Sequence, residues 1–403
     1  MIAELRFRNL FSFRDETVFS FEADKSKEME SYHVVEVTPG VRLLKLAIVY
    51  GANASGKTNI VMIYDFLRKF IFQTPINKSA DMGVVPFLLD GGSSSESVLI
   101  SMTFYIPRHN QPAAKYVYSL ELTKSHIVNE SLMYYASRQP TAIFERTMEG
   151  GVSTIKYGCK IKLSTAARDE ISLKCLPNMS VFAAYQQVNI NISEIEEVLT
   201  YFRRQMMPAI SPTKNLKQYS ENKIDNQTSK DYILKYLQEA DFNISNISEQ
   251  KQDSSTGTTR DLVFQHKVKN ETGTDLLFDF PEFMESQGTI RTMGLAGCIK
   301  EALDGNAMLV IDEIESSLHP RLIEYIIERF LRESDSAQML ITTHYDGLLA
   351  EDDLLRKDNI WFTEKHIDGA TSLYPLTDFK GLNRISSLQK AYQYGKFGAI
   401  PNI

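Results

Sequence analysis

The sequence predicts an α/β fold, a mixed sheet core with an antiparallel β subdomain and a helical insertion, and three observations carry that prediction. The apolar run Leu43–Tyr50 (LLKLAIVY) leads directly into the glycine-containing loop GANASGKT and then into a helix-period segment. A second apolar run, Met308–Ile311, ends in the adjacent acids Asp312 and Glu313. Between the two, segments from about Val98 to Tyr135 alternate apolar and polar residues. Continuous apolar runs suit strands buried on both faces of a parallel sheet, whereas period-two alternation suits antiparallel strands with one wet face.

Taken in order, Ile2–Phe7 and Thr17–Glu22 alternate and predict an opening hairpin, with 9–16 turning between them. Ile60, Ile63, Phe66, Leu67 and Phe70 recur at three- and four-residue steps and predict a helix over Asn59–Ile71. The segments VLISMTFYI, AKYVYSLELT and SLMYYA predict a meander that continues toward Ile155–Leu163. Helices follow at Ala166–Leu173 and Ile192–Met207, the latter with Ile195, Val198, Leu199 and Phe202 on one face. Ser211–Lys230, rich in Ser, Asn, Lys and Gln, reads as a mobile connection, Asp231–Ala240 as a helix, Ser248–Arg260 as a polar loop and Leu262–Phe280 as a hairpin. The expected division is 1–160 for the first part of the core with its meander, 161–260 for a mainly helical insertion serving as lid or docking region, and 261–403 for the second part of the core.

Composition narrows the function classes. The 403 residues carry 44 Lys+Arg against 51 Asp+Glu, a formal net charge of −7, so a cationic surface wrapped around nucleic acid is not the expectation. Three cysteines (Cys159, Cys175, Cys298) form no paired framework, which suits a reducing cytoplasm. No apolar run reaches the roughly 18 residues of a membrane span, and the seven histidines include no pair three to five apart. The expectation is a cytoplasmic protein without a membrane partner.

Gly51-Ala52-Asn53-Ala54-Ser55-Gly56-Lys57-Thr58 matches G-x-x-x-x-G-K-[ST] in its required setting, after a buried strand and before a helix. Glycines let successive N–H groups and the helix N-terminus converge on an anion. Gly51, Asn53, Ala54, Ser55, Gly56 and Asn59 are therefore candidate nucleotide-binding residues. Lys57 would contact the β- and γ-phosphates, and the Thr58 hydroxyl would ligate Mg²⁺. A buried strand ending in two carboxylates must open them at its mouth, because unpaired buried charge is costly. Asp312 is the candidate Mg²⁺ ligand and Glu313 the candidate base that polarises water; an acidic pair favoured by a helix dipole is the alternative. Two weaker signals remain. Ser286 and Gly288 precede the helix-like run Ile290–Leu303 and could form a second anion site or a plain N-cap. His344 ends the apolar segment QMLITTH and could hydrogen-bond a γ-phosphate or stand by.

Together, the loop at 51–58, ESQGT at 285–289, AMLVIDE at 307–313, the SSLHP segment at 316–320 and His344 resemble the ATP-binding-cassette-type heads of SMC-like ATPases. More narrowly, SQGTIRT, VIDEIESSLHP, TTHYDGLL and the terminal YGKFGAIP are similar to the AAA-type, RloA/AbiLi-like ATPases of bacterial abortive-infection systems. The resemblance implies a P-loop NTPase of ABC/SMC-head type that binds ATP with Mg²⁺ and hydrolyses it, with Lys57, Glu313 and His344 catalytic. It further implies head-to-tail pairing of two copies, with Ser286 and Gly288 acting on the partner's γ-phosphate. The expected role is a sensor that controls a separate effector, a nuclease toxin, in response to a phage-encoded trigger, with DNA contact secondary. A repair-like ATPase acting directly on DNA and an ATP-locked scaffold with little turnover are the alternatives. The chain departs from the pattern in reading ESQGT for LSGGQ and in offering no Q-loop glutamine, and Phe13 and Arg14 are its candidates for base contact.

Overall fold

Residues 1–109, 111–149, 152–240, 243–254 and 257–400 are described by a computed structural model. β1 (Ile2–Arg8) and β2 (Thr17–Ser20) form the predicted hairpin, with Leu5 opposite Phe19. The short helix α1 (Glu30–His33) then leads to β3 (Val34–Thr38), β4 (Val41–Leu44) and β5 (Leu46–Gly51). The predicted strand Leu43–Tyr50 is therefore two strands, because pairing changes partner at Lys45. Its N–H bonds the His33 carbonyl, its own carbonyl receives Met339 N–H, and its ammonium donates to the Ser334 carbonyl.

Helix α2 (Lys57–Phe70) follows the loop and buries Ile60, Ile63, Tyr64, Leu67 and Phe70. The meander comprises β6 (Val98–Arg108), β7 (Gln111–Leu122), β8 (Ile127–Tyr135), β9 (Thr141–Glu149) and β10 (Val152–Tyr157). With β1 and β2 it makes a seven-stranded antiparallel sheet in the order β10-β9-β8-β7-β6-β1-β2.

Helices α3 (Thr165–Lys174), α4 (Val181–Tyr185), α5 (Ser193–Gln205), α6 (Lys217–Ile224) and α7 (Gln227–Glu239) come next. The expected mobile connection at Ser211–Lys230 is corrected: it contains all of α6 and the start of α7. Leu216 and Ile224 are buried and Ser220 hydrogen-bonds the Met293 carbonyl, so the polar composition belongs to one wet face of a packed helix. The expected loop Ser248–Arg260 is likewise strand for the most part. β11 (Ile244–Ser254) pairs with β12 (Gly257–Lys269), and β13 (Asp275–Pro281) completes a three-stranded sheet that crosses residue 260. Polar side chains do not prevent a hairpin whose ladder satisfies its backbone; residues 255 and 256 of that expectation lie outside the described ones.

α8 (Gln287–Gly305), β14 (Met308–Ile311), α9 (Pro320–Glu333), β15 (Gln338–Thr343), β16 (Ile360–Lys365), β17 (Thr371–Pro375) and α10 (Leu388–Gln393) complete the fold. The second sheet runs β14-β15-β5-β16-β17, parallel except for β17. Its central strand β5 is buried on both faces: Ala47 and Val49 pack with α2, α5 and the antiparallel sheet, whereas Leu46, Ile48 and Tyr50 pack with α8, α9 and α10. Because the four strands are parallel, the loops after β5, β14 and β15 all open at one end, the usual position of a ligand crevice in such sheets.

Candidate functional site

Loop 51–56 curls at that end. Ala54 (φ 59°) and Gly56 (φ 109°) adopt left-handed backbone on either side of Ser55, the alternation that turns N–H groups toward one concavity. The loop is pinned from outside. Ser55 Oγ lies 2.6 Å from Thr363 Oγ1, and Thr371 Oγ1 donates to the Ser55 carbonyl at 2.9 Å and to Ser12 Oγ at 2.8 Å. Asn59 Nδ2 donates to the same Ser12 Oγ at 2.6 Å, so Asn59 positions the helix start.

Lys57 is buried and donates to the Gly51 and Ala52 carbonyls at 2.8 and 3.0 Å; its Nζ is 3.4 Å from His344 Nδ1. Burial pushes the Lys57 ammonium down to about 8, opposed by the field of Glu315, Glu313 and Asp312. Burial, followed by the charge of Lys57, also lowers the His344 imidazole, which favours its neutral form. His344 Nε2 is 4.0 Å from Glu313 Oε1.

Asp312 Oδ1 accepts from Thr342 Oγ1 at 2.6 Å and from Thr58 Oγ1 at 3.3 Å. One hydroxyl and one carboxylate, with the remaining positions left for phosphate oxygens and water, is a donor set that suits Mg²⁺. When bound there, the ion would polarise the phosphates. Glu313 has left-handed backbone (φ 47°), a conformation that costs a non-glycine residue about 1–3 kcal/mol and that clusters at active sites. Its N–H donates to Thr342 Oγ1 at 2.9 Å, and Ile314 N–H to the Thr342 carbonyl, so the strained turn is tied to β15 while the carboxylate stays half exposed.

Lys57, Thr58, Asp312, Glu313 and His344 are thus brought together at one mouth. Ser286 and Gly288 lie elsewhere: Ser286 Oγ caps α8 by accepting from Thr289 N–H at 3.0 Å, and a Cβ on Gly288 would meet the Ser317 carbonyl at 3.1 Å. Asn53 and Ala54 are exposed on the loop. Phe13 is fully buried against Phe7, which removes it as a base contact, and Arg14 is held by Asp368 and Asp15.

Sequence reasoning assigned no role to Glu315, whose carboxylate accepts from Thr343 Oγ1 at 2.8 Å and from His344 N–H at 2.5 Å and so fixes the end of β15. Thr342, Thr363 and Thr371 were passed over in the same way. Threonines at the ends of otherwise apolar strands were the available signal.

Residues 46–151 and 159–350 match the family described as "AAA domain, putative AbiEii toxin, Type IV TA system". The chain belongs to this AAA-domain family. The match names the AAA domain and not the RloA/AbiLi-like subgroup. No curated protein matches the chain. Among solved structures, the AAA domain is similar to an SMC head bound to the C-terminal winged-helix domain of ScpA, with 11% identity, coverage of 97% of this chain and 99% of that one, and a TM-score of 0.49. It is also similar to the SMC head domain from Thermotoga maritima (13% identity, 93% and 98% covered, TM-score 0.41). A third similar structure is the Pyrococcus furiosus SMC head with an extended coiled coil bound to the C-terminal domain of ScpA (11%, 98% and 98%, TM-score 0.45). These scores are below 0.5, and the assignment of the AAA domain stands on the family match and on the loop-bearing parallel sheet. Among the described residues no helix is long and apolar enough to cross a membrane.

Proposed function

We propose that the protein is an ATPase that binds Mg²⁺·ATP on loop 51–58 and hydrolyses it between two copies of the chain, as the switch of a bacterial defence system. The observation that carries this reading is the convergence of Lys57, Thr58, Asp312, Glu313 and His344 at one open end of the parallel sheet.

In this reading the loop amides and Lys57 hold the polyphosphate. Lys57 now spends its protons on the Gly51 and Ala52 carbonyls and would exchange them for phosphate oxygens. Thr58 and Asp312 would hold Mg²⁺. Glu313 accepts a proton from the attacking water, and neutral His344, its backbone N–H fixed by Glu315, donates from its ring toward the γ-phosphate. Ser286 and Gly288, which contact Thr289 and Ser317 in their own chain, act on the nucleotide of a second copy in a head-to-tail pair. The closed pair holds, and hydrolysis releases, a separate effector, most simply a nuclease toxin, on a phage-encoded trigger. The toxin–antitoxin wording of the family description supports that setting.

The test is to purify the wild-type chain with its native partner and follow ATP hydrolysis, assembly mass and partner release. Glu313→Gln should bind ATP, cease turnover and accumulate as the paired form. Wild-type turnover by that variant would overturn the role of Glu313, and ATP-independent release of the partner would overturn the switch.

A further inference from the structure

A cavity of about 650 Å³ lies between the start of α8, the loop 211–216 and the sheet β11–β13, apart from loop 51–58. Arg291 stands in its wall with only 8% of its surface exposed. Its Nη1 donates to the Pro212 carbonyl at 3.1 Å, but Nε and Nη2 are buried with no partner. A guanidinium keeps its charge inside proteins, so it cannot relieve this burial by losing a proton.

The neighbouring charges are already engaged. Lys217 pairs with Glu282 at 2.7 Å and Glu221 at 3.4 Å, and Glu285 pairs with His266 at 2.5 Å. Lys214 donates to the Ala209 carbonyl and stands over the Tyr219 ring. Asp261 is a further acid on the wall, and Arg291 makes no ion pair with it. What Arg291 lacks is an oxyanion.

The 19-residue helix α8 presents Gln287, Ile290 and Arg291 to this cavity, spaced i, i+3, i+4, and its N-terminus adds positive potential there. Gly288 instead abuts Ser317. Phe283, 86% exposed, lies on the wall and offers a flat apolar surface. The orphaned N–H groups are shielded in this state, so a ligand reaches them by displacing the Pro212 carbonyl and the loop 211–215 that carries it. That loop contains neither helix nor strand.

We propose that this cavity binds a phosphate-bearing small molecule, free phosphate or a nucleotide, with Arg291 as its fork and the α8 N-terminus beside it. The site shares the α8 N-terminus with the proposed contact of Ser286 and Gly288 to a second copy's nucleotide, but no residue of loop 51–58 lines it, and its test reads binding and not hydrolysis.

The full-length Lys57→Ala variant, weakened at loop 51–58, is titrated with inorganic phosphate and with ADP by calorimetry. Saturable binding of at least one probe is expected. Adding Arg291→Met should weaken it about tenfold or more, the size expected when charge-assisted hydrogen bonds are lost. Arg291→Lys, which keeps the charge without the fork, should fall between, and thermal melts of both variants report folding. ADP binding tighter than phosphate would identify a nucleotide site, and equal binding a phosphate site. Absence of saturable binding to either probe, or binding indifferent to both substitutions at Arg291, would overturn the proposal.

Discussion

Two buried charge clusters in this chain use the same residue types to opposite ends. In the antiparallel sheet, Glu130 accepts from the Tyr118 hydroxyl at 2.8 Å, from Val181 N–H at 3.0 Å and from Arg146 at 3.3 Å. Arg146 also donates to Ser153 Oγ and to the Leu176 and Met179 carbonyls. Both side chains have no exposed surface, and neither has capacity left for a ligand. At the mouth of the parallel sheet, Lys57 is held by two carbonyls of its own loop and by His344 Nδ1, and Glu313 and His344 face each other at 4.0 Å, partly exposed. Perturbed ionisation is found in both places, since burial raises the Glu130 carboxyl and lowers the Lys57 ammonium. Open coordination, more than a shifted pKa, separates a site from a structural ion pair.

The largest expected effect tests the open cluster. Glu313→Gln removes the base and leaves the loop intact, so turnover should drop about 10²–10⁴-fold while ATP binding changes little. Steady-state hydrolysis and equilibrium binding measured side by side decide it. A parallel loss of both would mean that the strained turn, and not the carboxylate, is what the residue supplies.

The closed cluster should answer differently. Glu130→Leu keeps the volume but strands Arg146, the Tyr118 hydroxyl and Val181 N–H. The expected loss is about 3–5 kcal/mol of stability, the scale for removing one partner of a buried pair. Denaturant unfolding measures it. ATP affinity per folded molecule should be unchanged, and a specific loss of affinity would show that the two clusters communicate.

The open cluster was legible in sequence because each residue sits where an apolar strand stops. Leu46–Gly51 and Met308–Ile311 announce burial; Asp312 and Glu313 follow the second strand directly, and Lys57 follows the first across the glycine-containing loop. The same logic recovered the opening hairpin and the meander from alternation alone. It failed at Lys45, where a single charged residue switches backbone pairing between His33 and Met339, both distant or non-adjacent in the chain. It failed again at α6, whose polar composition hides Leu216 and Ile224 packed toward α8. Glu315 was passed over because its partners, Thr343 and His344, come from another strand, and local sequence does not record that approach.

A smaller effect tests the packing beneath the loop. A Cβ at Gly51 would come within 2.3 Å of Thr363 Oγ1, 2.5 Å of Ser55 Oγ and 2.7 Å of the Thr363 carbonyl. The last is backbone and cannot rotate away. Gly51→Ala should therefore cost about 1–3 kcal/mol, typical of overpacking, and should also weaken ATP binding by displacing Ser55. Pairing it with Thr363→Ala removes the hydroxyl but leaves the carbonyl clash in place, so a full rescue by that second change would trace the strain to the side chain instead. Melting temperature and ATP titration of the single and double variants distinguish the two.

The smallest effect is a pH dependence confined to Lys57. Its ammonium sits at about 8, against an unfolded value of 10.5. A bound polyphosphate supplies countercharge and raises that value in the complex. Above about pH 8 binding must take up a proton, so ATP affinity should fall as pH rises, by at most tenfold per unit. Stability of the nucleotide-free protein should move the other way. Between about 8 and 10.5 the unfolded chain holds a proton that the folded chain has released, so the Lys57 contribution to stability rises with pH across that window. Calorimetric titration of ATP in two buffers of different ionisation enthalpy counts the proton directly. Lys57→Arg, charged throughout, should abolish the uptake. No uptake by the wild type at pH 9 would mean that the carboxylates of Glu315, Glu313 and Asp312 already hold Lys57 charged against its burial.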